Sequence, residues 1–242
     1  MKTKKLLFYL LAGLLAGCVP VMSLHPLYTD KDLVFEEKLL GTWVDDPNNP
    51  ETTWEFKRVA DEPKRNGQFK RPEEQEKAYE LIFSDNEGKK GSFFAHLVKL
   101  ENKLFLDVYP SEPPWDEADP NKVDWVYNTL FLVPVHTFIK INGIEPQLKL
   151  QLTDDDELEK LLKEDPNAVE YTSIDNQPIL TASTKELQAF VLKYADDDRL
   201  FTDEAILIRK EVHIEPNDIA PNESPKANDK NKSTDQKADR AG

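Results

Sequence analysis

The sequence predicts a mainly β domain with two helices, an antiparallel meander in which both helices come before the last strand. Three observations predict it. Short runs rich in β-branched and aromatic residues follow one another through the middle of the chain. Turn-forming residues separate several of them. Only two later stretches switch to the helical spacing of apolar residues.

In order, the strand runs are Gly41 to Val44, Thr52 to Val59, Ala78 to Phe83, Phe93 to Leu100, Leu104 to Tyr109, Tyr127 to Val133, Val135 to Ile141 and Leu148 to Leu152. Asp85-Asn86-Glu87-Gly88, Glu101-Asn102 and Asn142-Gly143 lie between runs and read as hairpin loops, because Asn, Asp and Gly tolerate the backbone angles a tight reversal needs. Consecutive strands joined by short loops pair antiparallel.

The first helix spans Asp154 to Glu164, with Leu158, Leu161 and Leu162 on one face and acids in its first turn, where the helix dipole favours them. The second spans Thr184 to Ala195 and spaces Leu187, Phe190, Val191 and Tyr194 at i, i+3, i+4 and i+7. Ser183 and Glu186 form a capping box for it. Ile179 to Thr181 is a short strand between the helices, and Ala205 to Lys210 is the closing strand.

These elements place one globular β-rich domain at 37–212. Residues 18–36 read as a tether, since Pro20 and Pro26 disfavour helix. Residues 213–242 read as a disordered tail of mixed charge, because from Glu215 onward almost nothing apolar is available to offset the entropy of ordering. Two internal stretches have no periodicity, the charged Asp61 to Glu76 and the acidic, proline-rich Pro110 to Asp124 around Trp115. The bland role for Trp115 is to pin its loop to the body, and the alternative is a partner contact.

The first 17 residues are a different kind of segment. Lys2, Lys4 and Lys5 precede the apolar run Leu6 to Ala16, which is too short for the roughly 20 residues of a spanning helix and has the pattern of a cleaved export signal. The formal net charge is -15, and removing residues 1–17 with their three lysines takes it to -18. A nucleic-acid partner is not expected of so acidic a chain, since polyanion binding depends on clustered Lys and Arg.

Leu15-Ala16-Gly17-Cys18 resembles the lipobox of bacterial lipoproteins, in which an apolar residue and two small ones precede an invariant cysteine. That resemblance implies diacylglycerol on the Cys18 sulfur, cleavage before Cys18 and a lipid anchor in the cell envelope. Two or three acyl chains bind a membrane stably, whereas one is marginal. Val19 in place of aspartate favours the outer membrane if the cell is Gram-negative. Cys18 is the only cysteine, so no intramolecular disulfide is possible. The phrases SLHPLYTDKDLVF and ILTASTKELQAFVLKYA are also similar to a group of uncharacterised bacterial lipoproteins.

Leu40-Gly41-Thr42-Trp43 resembles the G-x-W start of the first strand in lipocalins and related calycins. The resemblance implies a calycin/lipocalin-like barrel or strongly curved sheet. It also implies a structural pair at one end, with Arg209 of the closing strand stacked on Trp43. The chain departs from that family in carrying two helices ahead of the last strand.

No catalytic motif is present. The chain has four histidines, His25, His96, His136 and His213, and none has the spacing that sets two metal ligands on one helix face. His96 and His136 lie in strands, with Asp107 in the strand after His96. If the three share one cavity they could orient one another, hold a metal or line a ligand site; hydrogen-bonded histidines of a sheet explain them as well. The expectation is a non-enzymatic envelope module without metal or cofactor, attached to the membrane through Cys18 and contacting other envelope proteins. The alternative is a carrier of a small apolar or amphiphilic ligand in a lipocalin-like cavity.

Overall fold

The computed structural model describes residues 20–59, 72–111, 133–175, 177–197, 199–201 and 204–210. The lipobox with Cys18, Trp115, the expected tail and all of the expected strand Tyr127 to Val133 except Val133 lie outside them.

Among the described residues twelve strands form two sheets. The larger contains β3 (Gly41–Val44), β4 (Thr53–Arg58), β5 (Ala78–Ser84), β6 (Lys90–Leu100), β7 (Lys103–Pro110), β8 (Thr137–Gly143), β9 (Gln147–Leu152) and β12 (Ala205–Arg209). Each pairs antiparallel with the next. Closure comes from β12, which pairs with β9 through Ala205 to Ile208 and with β3 through Ile208↔Val44 and Arg209↔Trp43. The result is a closed, eight-stranded antiparallel barrel with no free edge in its wall. β2 (Leu33–Val34) adds a short pairing to the far end of β6.

The smaller sheet has the order β1 (Met22–Ser23), β11 (Gln177–Leu180), β10 (Tyr171–Ile174), with β1 parallel to β11. Its strands β10 and β11, with α2 (Asp155–Glu164) and α3 (Thr184–Tyr194), are inserted between β9 and β12, whereas β1 comes from the N-terminal segment. Asp154 caps α2 by accepting from the Glu157 N–H at 3.1 Å, and Ser183 and Glu186 form the capping box of α3.

The wall is apolar on both faces along part of its circumference, so among the described residues there are two large cores, beside a small cluster of Val59, Ala78 and Phe94. Trp43, Trp54, Phe56, Tyr79, Leu97, Leu106 and Leu148 fill the interior. Outside, Val98, Leu100, Phe105 and Phe138 of β6 to β8 pack on Leu158, Leu161 and Leu162 of α2 and on Leu187, Phe190 and Val191 of α3. On β4 the outward residues are Glu55 and Lys57, so this side is built apolar-in and polar-out, the reverse of strands that face lipid.

Three expectations are corrected. Residues 20–36 are no tether: Val21, Ser23, Leu27, Tyr28 and Leu33 are buried, and the segment runs as a strap between the barrel wall and α3. The Leu27 and Pro26 carbonyls accept from Gln188 and Thr184 of α3 at 2.9 Å each. The charged stretch Asp61 to Glu76 ends in a short helix, α1 (Pro72–Glu76). The turn expected at Asn142-Gly143 also falls later, because β8 runs on through Gly143 with a register shift.

Candidate functional site

Beyond the strap the chain makes a turn at Glu37–Leu39 and enters β3, and here it closes one mouth of the barrel. Trp43 is fully buried and donates from Nε1 to the Leu39 carbonyl at 2.9 Å. The Arg209 guanidinium carbon lies 4.2 Å from the Trp43 ring centroid, within the range of a cation–π contact. Arg209 Nη1 donates to the Leu40 carbonyl at 2.6 Å, and Nη2 donates to the Lys38 carbonyl. Glycine at position 41 has two causes, since its φ is +110° and a Cβ there would stand 2.8 Å from Arg209 Nη1. Phe35 stacks on Tyr79 with centroids 4.6 Å apart, and Arg58 lies 3.9 Å over Phe35. The Tyr79 hydroxyl accepts from Glu36 N–H at 2.6 Å, and burial pushes its pKa up to about 12.

His96, Asp107 and His136 do come together, but on the outer face of the wall beneath the strap. Alternation along β6 and β7 explains this: Ala95 and Leu97, Leu106 and Val108 point into the barrel, so His96 and Asp107 point out. They sit directly opposite each other across the strand pair. Asp107 is fully buried; its Oδ1 accepts from His136 Nδ1 at 2.6 Å and its Oδ2 accepts from the Leu27 N–H at 2.7 Å. The His136 backbone exchanges both hydrogen bonds with Ser23 of β1, at 2.8 and 2.9 Å.

His96 Nε2 lies 3.3 Å from the Glu74 carbonyl of α1, and the Tyr28 ring packs 4.7 Å from the imidazole. Tyr28 in turn donates to Glu74 Oε1 at 2.7 Å. Burial holds the His96 pKa below the ordinary imidazole value, and the nearby Asp107 and Glu74 carboxylates only partly offset this. Tyr109 packs on His136 with centroids 4.6 Å apart.

An aspartate on Nδ1 orients a histidine as in acid–base catalysis. Here, however, the second oxygen of Asp107 is committed to a backbone N–H, and among the described residues no hydroxyl nucleophile bonds to His136. Nor, among those residues, is any group of three or more His, Cys, Asp or Glu placed to hold a metal. The cluster chemically fastens the strap to the wall. Tyr28, Glu74 and Leu27 were not singled out from the sequence. The strap's apolar content, with Val21, Leu24, Leu27, Tyr28, Leu33, Val34 and Phe35 in 15 residues, was the available signal for the first and last of these.

The barrel interior bears on ligand binding. Its buried side chains are each 6% exposed or less, from fully buried Trp43, Tyr79 and Leu148 to Trp54 and Val108. Phe83, Phe93, Leu104 and Leu152 of the wall pack against them and are only partly buried. No family model, curated protein or solved structure matches this chain.

Proposed function

We propose that the protein is a lipoprotein of the bacterial cell envelope, held on a membrane by acylated Cys18, whose barrel serves as a non-enzymatic interaction or structural module. The observation that carries the reading is how closely the lipobox meets the fold. Cleavage before Cys18 leaves Val19 and Pro20 ahead of Val21, which is 1% exposed in the outer core, so the processing site adjoins the folded strap. An export signal with n-region, apolar run and four lipobox positions in register supports the same reading.

The commitment of Asp107 to the strap supports a structural role for the buried polar cluster. Labelling cells with radioactive palmitate tests the anchor. The wild-type chain takes up label, and Cys18→Ser abolishes it and leaves unprocessed precursor; unchanged labelling of the variant would refute the reading. Native mass spectrometry with lipid extraction tests the module, which is expected to carry no bound amphiphile in its barrel.

A further inference from the structure

Three of the six exposed large apolar side chains among the described residues lie on the small sheet and the strap beside it; the others are Val133 and, on β12, Ile206 and Ile208. Leu24 is 40% exposed, Tyr171 38% and Ile174 56%. Burial alternates along β11, with Pro178 and Leu180 buried and Gln177 and Ile179 partly exposed, so the sheet has an inner and an outer face. Register places Met22, Ile179 and Thr172 in one row of the outer face and Ile174 beside Gln177 in the next. Leu24, two residues beyond Met22, continues that face, and its N–H donates to the Leu180 carbonyl at 3.0 Å.

None of the three strands of this sheet contains a charged residue, although 32% of the chain is charged. Glu170 and Asp175 flank β10, so the acids lie at its ends and not within it. A chain of net charge -18 after processing is repelled by an anionic bilayer, and a charge-free apolar face is the one it can present at least cost. Apolar side chains such as those of Leu24 and Ile174 can bury at the boundary between headgroups and acyl chains.

The covalent geometry points the same way. Cys18 is three residues from Val21 and four from Met22 of β1. Extended chain spans roughly 3.5 Å per residue, so the sulfur and the start of the sheet are within about 14 Å of each other. Little slack remains for the domain to stand away from the lipid.

We propose that the outer face of the β1–β11–β10 sheet, with Leu24 and Ile174 at opposite corners and Met22 and Ile179 between them, lies against the bilayer that holds the lipid anchor. The partner is the lipid surface itself, met by apolar contact and not by charge. This rests on the lipoprotein reading above. Processed full-length protein from its host tests it, after reconstitution into phosphatidylcholine vesicles containing nitroxide-labelled phosphatidylcholine. Leu24→Cys, Ile174→Cys and Lys57→Cys each receive a bimane fluorophore, with Cys18 blocked by its thioether. Lys57 is the control, on β4 and four strands round the barrel from β8, which the Ser23–His136 bridge places beside the small sheet.

Several-fold stronger quenching at positions 24 and 174 than at 57 is the expected result. Equal quenching at all three, in protein whose intact mass includes the diacylglyceryl group, overturns the docking face and leaves the lipoprotein reading standing. A mass without lipid overturns both.

Discussion

Replacing Arg209 tests the closure of the barrel. In Arg209→Ala the Trp43 ring loses a cation 4.2 Å from its centroid, and the Leu40 and Lys38 carbonyls lose their donor. A partly buried cation–π contact contributes about 1–2 kcal/mol, and a hydrogen bond to a charged group about 1.5–3 kcal/mol, from which side-chain ordering and water's replacement of the exposed bond must be subtracted. A net loss of about 3 kcal/mol is expected, which lowers Tm by roughly 6–12 °C at about 2–4 °C per kcal/mol. Lysine keeps the charge but not the planar fork, so Arg209→Lys is expected to lose more than half as much. Urea unfolding followed by tryptophan fluorescence gives both values. Gly41→Ala adds an internal check: the 2.8 Å contact with Arg209 disappears in the double variant while the +110° φ remains, so the two losses are expected to be less than additive. A loss below about 0.5 kcal/mol for Arg209→Ala, or a lysine variant as stable as wild type, would refute the reasoning.

Asp107→Ala removes the acceptor of both the Leu27 N–H and His136 Nδ1 in a fully buried place, and is expected to cost about 3 kcal/mol, with the Leu27 amide exchanging hydrogen much faster than in wild type. Exchange confined to the barrel strands instead of the strap would show that Asp107 does not hold the strap. Because the folded-state pKa of His96 is depressed, the unfolded chain takes up this proton first. Its stabilising contribution is therefore full above the ordinary imidazole value of about 6.5 and falls as pH drops below it, at up to about 1.4 kcal/mol per pH unit. Urea midpoints measured from pH 7.5 to 5 are expected to fall less steeply in His96→Gln than in wild type, and parallel curves would remove His96 from the account. The palmitate experiment on Cys18→Ser completes the set.

The sequence by itself determined the local elements, because their causes are local. Apolar spacing set α2 and α3, the Ser183 and Glu186 pair set the start of α3, and β-branched and aromatic runs set β3 to β7, β9 and β12. It also carried the Gly41-x-Trp43 pattern, since a glycine where φ is positive is a local requirement of the turn into β3. Three things were decided only by tertiary structure. Closure depends on β12 reaching β3 from the far end of the chain, and two strands pair according to where the intervening residues take them, not according to their own composition. The inside of the wall was hidden because β6 and β7 are covered on both faces, by the interior on one side and by strap and helices on the other; a strand buried on both faces loses the alternation that would mark its inward side. That is why His96, Asp107 and His136 could be grouped as neighbours in the sequence while their place under the strap could not be read. The strap itself shows the same limit: Pro20 and Pro26 correctly exclude a helix, but only the barrel wall and α3, folded from residues more than 60 positions away, supply the surfaces that bury Val21, Leu27 and Tyr28.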